Sequence, residues 1–243
     1  MMVSCKRTLS FFIIIPTTIL ASIYRLVGAT TATPIQRIVW YNIVGNISYD
    51  SLENLAYAYK NSVYIILFVL LYGTYISSYF DSGSCYYFIR VHSRTKWLAQ
   101  KSLSLACLSF SYSILLIITN ILIACKSSSA VMNLDDLYSG IYLSIYIFLV
   151  IFLFSYIDNE FSLYLSDVFS LLGVIILILI SIMFAVAGFG TDFLFLINPF
   201  YMKNTEFIHL IQKIVVLMFE NVIVIVIGMI LIRKKEIWNV DIE

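Results

Sequence analysis

Six long apolar runs, separated by short polar segments, occupy most of this chain of 243 residues. The hydrocarbon core of a membrane is about 30 Å thick, and a helix that rises about 1.5 Å per residue needs roughly 20 residues to cross it. Each run is about that long, so the sequence predicts six transmembrane helices. The predicted spans are residues 9–27, 62–80, 103–124, 137–157, 168–187 and 214–232.

Composition supports the same fold class. Apolar residues make up 61% of the chain and charged residues 12%, and the mean hydropathy is +0.96, well outside the range of soluble domains. The longest segments between spans, residues 28–61 and 188–213, are too short for an independent core. We therefore expect an all-α protein with one transmembrane domain over residues 1–243.

The distribution of lysine and arginine predicts the orientation, because cytoplasmic loops are enriched in both. If the N-terminus is inside, nine of these residues lie on the cytoplasmic side and five on the other. Both termini are then cytoplasmic, and the location is the cell membrane. The first apolar run also has features of a cleavable signal peptide, and its loss would leave the orientation of the other five spans unchanged.

The sequence lacks the characteristic motifs of several enzyme classes. There is no GxxxxGK[ST] loop, no HExxH pair and no GxSxG elbow, so we expect neither ATP hydrolysis by this chain nor a protease or hydrolase site of these types. The four cysteines include no CxxC pair, which argues against a disulfide framework or a metal site. We expect the chain to be a non-enzymatic membrane protein.

A basic and aromatic segment over residues 82–101 follows the second predicted span. Mixed aromatic, aliphatic and basic residues after a glycine are typical of a short helix lying in the membrane interface. Ordinary basic decoration of a cytoplasmic loop with an aromatic anchor explains the segment equally well. The residues that carry the pattern are Arg90, His92, Arg94, Lys96 and Trp97.

A second polar element, Asn198-Pro199-Phe200, precedes the last span. The proline disfavours a helical conformation at Asn198 and allows Phe200 to begin a new short helix. The flanking segments are apolar enough to dip into the outer leaflet, which predicts a re-entrant element. A simple capped loop is the alternative.

Together with the span pattern, these two segments resemble the membrane subunits of type-2 ABC exporters. In that family a basic and aromatic coupling helix after the second span docks on the ATPase subunit, and an extracellular Asn-Pro element lies in short re-entrant helices. The resemblance implies a permease subunit that works with a second membrane subunit and two cytoplasmic ATPases. ATP and Mg would bind to the ATPases and no cofactor to this chain, and we expect no nucleic-acid partner.

Aromatic residues form stripes at helical spacing on the second and fourth spans. A tyrosine ring with its hydroxyl suits a partly polar, partly apolar substrate, so the stripes could line a substrate path or a subunit interface. Helix packing and interfacial belts are the more common role of such stripes. The stripe residues are Tyr64, Phe68, Tyr72, Tyr75, Tyr138, Tyr142 and Tyr146.

Charged residues inside or beside the spans set further expectations. Arg25 and Glu220 are costly in lipid; we expect Arg25 to extend outward to the interface and Glu220 to pack against protein or water. The acidic residues Asp158, Glu160 and Asp167 are expected in a solvated cytoplasmic turn, with Asp167 at a helix start. An interaction surface for a basic partner is the alternative for this turn.

The sequence thus favours a permease subunit of an ATP-driven exporter, and the small size and aromatic stripes resemble exporters of amphipathic or antimicrobial peptides. Two other classes stay open. One is a membrane-integral scaffold or assembly factor, with the aromatic stripes as binding faces. The other is an ion-coupled secondary transporter with Glu220 as its proton site, although no internal repeat supports it.

Overall fold

The computed structural model describes residues 52–79, 94–127, 134–186 and 207–234. These residues form helices and turns, with no strand among them. The helices are α1 (Leu52–Tyr72), α2 (Arg94–Ser127), α3 (Leu134–Ser162), α4 (Asp167–Val186) and α5 (Phe207–Lys234). After α1, a turn at Gly73 and Thr74 leads into a further helical turn over 75–79.

All five helices are long and apolar enough to cross a membrane, and the described part of the chain is all-helical, as expected. They correspond to the second to sixth predicted spans, and the first predicted span lies outside the described residues. Several helices extend beyond the predicted spans. Helix α2 begins at Arg94 instead of residue 103, and α3 continues to Ser162 instead of ending at residue 157.

Helix α3 lies at the centre of the bundle and contacts each of the other four helices. Every residue from 149 to 160 is buried, as expected for a helix that is apolar on all sides and surrounded by others. Helices α4 and α5 instead expose large apolar side chains such as Val168, Phe169 and Phe219. In a membrane these outer faces meet lipid or another chain.

Contacts between helices fix their directions. The Tyr112 hydroxyl of α2 donates to Tyr64 O of α1, and Lys101 of α2 lies over the ring of Tyr79, so these two elements run antiparallel. Asn221 of α5 contacts Leu149 of α3, and Gly228 of α5 contacts Glu160 of α3, so these two helices run parallel and end beside each other. Residues 75–79, α3 and α5 end at one side of the bundle, where α2 and α4 begin, and we call this side the inner end. The distribution of lysine and arginine predicts that it is cytoplasmic.

One prediction at the inner end was wrong, and a second is tested only over residues 94–101. Asp158 and Glu160 do not lie in a solvated turn, because α3 continues past them and the other helices cover both side chains. Only Asp167 is exposed, at the start of α4 as expected. The described part of the basic segment, residues 94–101, is not a separate interfacial helix, because it continues without a break into α2.

Candidate functional site

The inner end contains a break in the backbone hydrogen bonding of α1. Within a regular helix the N–H of Ile76 would donate to the carbonyl of Tyr72, four residues earlier. Here Ile76 N donates instead to Oδ1 of Asn159 on α3, at 2.5 Å. The Tyr72 carbonyl accepts a hydrogen bond from Nδ2 of the same side chain, at 2.9 Å.

The amide of Asn159 is therefore inserted between the two halves of one helical hydrogen bond. Its second N–H donates to Ser155 O of its own helix, at 2.7 Å. One side chain thus satisfies both main-chain groups that the break releases, and both of its amide hydrogen atoms are donated in hydrogen bonds. Side chains that enter a helical ladder are a recognised cause of helix kinks, and Asn159 is fully buried.

Asp158, the preceding residue, faces both α1 and α4. A methyl group at Gly73 would overlap Asp158 Oδ2, so the carboxyl group fills the space left by the missing side chain of that glycine. On the α4 side, the Ser170 hydroxyl lies 2.7 Å from Asp158 O and is also within hydrogen-bonding distance of Asp158 Oδ1. Asp158 thus joins the break in α1 to the start of α4.

Glu160 faces a different neighbour, helix α5. A methyl group at Gly228 would lie 2.5 Å from Glu160 Oε1 and 2.7 Å from the hydroxyl oxygen of Tyr156. The glutamate and the tyrosine hydroxyl therefore both pack on the bare backbone of Gly228. We refer to Asp158, Asn159, Glu160, Gly73 and Ser170 together as the inner polar cluster.

A second group of buried polar residues lies further from the inner end. Glu220 of α5 is 4% exposed, in agreement with the expectation that it packs against protein. It lies within electrostatic range of the Tyr146 hydroxyl on α3, as does Tyr64 of α1. Asn221 Nδ2 donates to Leu149 O of α3 at 3.2 Å and to Leu217 O of its own helix at 2.7 Å.

The aromatic stripes pack mainly inside the chain. The ring of Phe68 lies 4.8 Å from that of Tyr72 and 5.1 Å from that of Tyr112 on α2, and Tyr146 is buried. Tyr64, Tyr75 and Tyr142 are half-buried, whereas Tyr138 is exposed. The stripe on α1 therefore serves helix packing, and Tyr138 alone among the described stripe residues faces outward.

The described residues of the predicted coupling segment divide into two groups. Lys96 is exposed and Arg94 is half-buried at the first turn of α2, whereas Trp97 is buried in the core. The tryptophan thus anchors the start of the helix, and the basic residues stay at the inner end. Other predicted site residues lie outside the described part of the chain: Arg25, Arg90, His92, Asn198, Pro199 and Phe200.

The sequence analysis missed the role of Asn159 and Gly73. The sequence did contain a signal: Asp158, Asn159 and Glu160 directly follow an apolar run, and Gly73 interrupts another. Assigning the acidic residues to a loop removed them from consideration as membrane-embedded groups. Polar and ionisable residues within a span commonly mark functional sites, and broken helices commonly form binding sites in transporters.

Among the described residues, no group of three histidine, cysteine, aspartate or glutamate side chains is placed to hold a metal ion. What the inner polar cluster offers chemically is a buried carboxyl group beside a broken helix. Comparison of the chain with protein-family models, curated proteins and solved structures gives no match in any of the three.

Proposed function

We propose that this chain is the membrane-spanning subunit of an ATP-driven exporter in the cell membrane. The chain would pair with a second membrane subunit and with cytoplasmic ATPases that bind ATP and Mg. The substrate class suggested by the family resemblance is an amphipathic or antimicrobial peptide. The main support from geometry is the continuity of α2 from its basic first turn at Arg94 through the membrane to Ser127.

A continuous helix suits the transmission of motion, because force applied at one end moves the whole element. Trp97 directly follows Lys96 in the chain and is packed in the core, so displacement at the basic turn would reach the bundle directly. Lys101, one turn further, lies over the ring of Tyr79 at 3.4 Å from its centroid. A partner docked on Arg94 and Lys96 would therefore act on α1 and α2 together.

The test is charge reversal with a matched control. Lys96→Glu should lower the amount of ATPase that co-purifies with the tagged chain and reduce ATP-dependent peptide export from reconstituted vesicles. Arg233→Glu makes the same change in charge at another exposed position of the inner end and should leave both unchanged. Equal effects of the two variants, or export that continues without any ATPase, would contradict the proposal.

The buried carboxyl groups favour a second candidate, an ion-coupled transporter. Asp158, Glu160 and Glu220 are all buried within helices that can span a membrane, and such residues often form ion or proton pathways. In this case the chain alone, reconstituted without an ATPase, would move its substrate when a pH gradient is imposed. The exporter proposal expects no such transport.

A further inference from the structure

Asp158 is buried in a way that limits which protonation state it can adopt. The residue is 0% exposed and lies four residues, or about 6 Å, from the end of α3. No hydrogen-bond donor among the described residues reaches its Oδ2 atom, which packs against Gly73. A carboxylate there would hold part of a negative charge against an aliphatic carbon, which is costly in a low-dielectric site.

The contacts of Ser170 also indicate that the Asp158 carboxyl group is protonated. Its hydroxyl oxygen lies within hydrogen-bonding distance of two acceptors, Asp158 O and Asp158 Oδ1, but a hydroxyl has one hydrogen to donate. If that hydrogen goes to the main-chain oxygen at 2.7 Å, the second contact needs a hydrogen from the carboxyl group. A neutral carboxylic acid supplies it, with Oδ1–H donating to Ser170 Oγ and Oδ2 remaining as the carbonyl oxygen.

Among the described residues, the charged group that acts on Asp158 is itself acidic and does not offset a negative charge. On α4, the acidic Asp167 acts on it through like charge. On its own helix, the nearest titratable residues are Tyr156 and Glu160, which pack on α5. On α1, the break is flanked by Tyr72 and Tyr75, and neither residue carries a positive charge.

We propose that Asp158 is a proton-binding site, occupied in this structure by one proton on Oδ1 that forms a hydrogen bond to Ser170 Oγ. This proton holds the inner ends of α1, α3 and α4 together. Release of the proton to water would leave a carboxylate against Gly73. Ser170, which accepts a hydrogen bond from the neutral acid, would then have to donate one to the carboxylate. The anion is better solvated if α1 and α4 move apart. Asn159, the next residue in the chain, would transmit that movement to the broken turn of α1.

The proposal does not depend on the energy source for transport. In an ATP-driven exporter the site would make helix packing at the inner end sensitive to pH, and in an ion-coupled transporter it would be a coupling site. Failure of the ATPase experiments above would therefore leave it intact. Its own test needs a direct view of the proton.

Infrared spectroscopy of the full chain in lipid vesicles gives that view, because a protonated carboxyl group has a carbonyl band distinct from that of a carboxylate. In mildly acidic buffer we expect a carboxylic acid band that Asp158→Asn removes. Glu160→Gln and Asp167→Asn are controls that should keep the band. Ser170→Ala should keep it and shift it to higher frequency, since the acid loses its hydrogen-bond acceptor.

A structural readout completes the test. As the pH is raised until the band disappears, hydrogen exchange at the Ile76 amide, corrected for intrinsic exchange rates, should increase over the same pH range. In Asp158→Asn, whose side chain remains neutral, that exchange should not respond to pH. A difference spectrum between the native chain and Asp158→Asn that contains no carboxylic acid band would overturn the proposal. If that variant fails to insert, an unshifted band in Ser170→Ala or pH-independent exchange in the native chain overturns it instead.

Discussion

The carboxyl group of Asp158 occupies the space that a side chain at Gly73 would need. The glycine therefore does more than interrupt an apolar run: it lets the central helix α3 approach the backbone of α1. A main-chain approach this close is the reason why position 73 has to lack a Cβ atom. The packing of α3 against the break in α1 depends on this pair.

Gly73→Ala should therefore destabilise the protein. The new methyl group would overlap Asp158 Oδ2 and lie 2.6 Å from Val69 O, and overpacking of this kind costs roughly 1 to 3 kcal/mol. Gly173→Ala is the control, because its methyl group would approach only Phe161, at 4.0 Å, and alanine is the better helix former. The measurement is the free energy of unfolding in mixed micelles, and equal values for the two variants would contradict the packing at Gly73.

Asn159→Ala should be more harmful than the same substitution at Asn120. Loss of the Asn159 amide removes the groups that pair with Ile76 N and Tyr72 O, and unsatisfied buried groups cost about 1 to 3 kcal/mol. Asn120 is also buried, but its Nδ2 donates to Leu116 O within the same helix. Unfolding in the same micelles tests this difference, and equal losses would show that the amide of Asn159 does not support the break.

Much of this fold follows from the sequence, because span length and apolar content depend on local composition. The starts and ends of helices were harder to predict: Ser162 ends α3 beyond three consecutive polar residues, which in water would favour a loop. Only the surrounding helices make burial of Asp158 and Glu160 possible. Inter-helix contacts of this kind depend on tertiary packing, which one sequence does not reveal.

The same limit applies to the candidate site. Helical periodicity correctly placed Phe68 and Tyr72 on one face of α1, and the cost of charge in lipid correctly indicated that Glu220 is covered. Neither principle distinguishes a face that packs against α2 from one that lines a path. Insertion of Asn159 into another helix also left no periodic signal in the sequence.

Cysteine labelling should separate the two aromatic stripes. Tyr72 is 2% exposed and Tyr138 is 58% exposed, so a membrane-permeant maleimide should label Tyr138→Cys and leave Tyr72→Cys unlabelled. Both variants are made in a chain whose four native cysteines are replaced by serine. Because Tyr72 is covered by its own chain, its protection should persist without any partner. Labelling of Tyr72→Cys in the isolated, folded chain would argue against this packing.

Substitutions of Glu220 test whether its polar atoms, and not only its volume, stabilise the bundle. The side chain is buried on α5, in electrostatic range of the Tyr146 hydroxyl, so its polar contacts are made with protein. Glu220→Gln keeps the shape and the hydrogen-bonding capacity of a neutral acid and should change the free energy of unfolding little. Glu220→Leu keeps a similar volume but removes the polar atoms.

The leucine variant should therefore lose roughly 1 to 3 kcal/mol, because the polar groups that face Glu220, such as the Tyr146 hydroxyl, would meet an apolar side chain inside the bundle. The exposed neighbour Phe219 provides the control: Phe219→Leu changes a side chain on the outer face of the same helix and should be almost neutral. Unfolding of all three variants in the same micelles measures the difference. If Glu220→Leu is as stable as the native chain, the polar contacts of Glu220 do not stabilise the bundle; if Glu220→Gln is as damaging as Glu220→Leu, the negative charge itself is required.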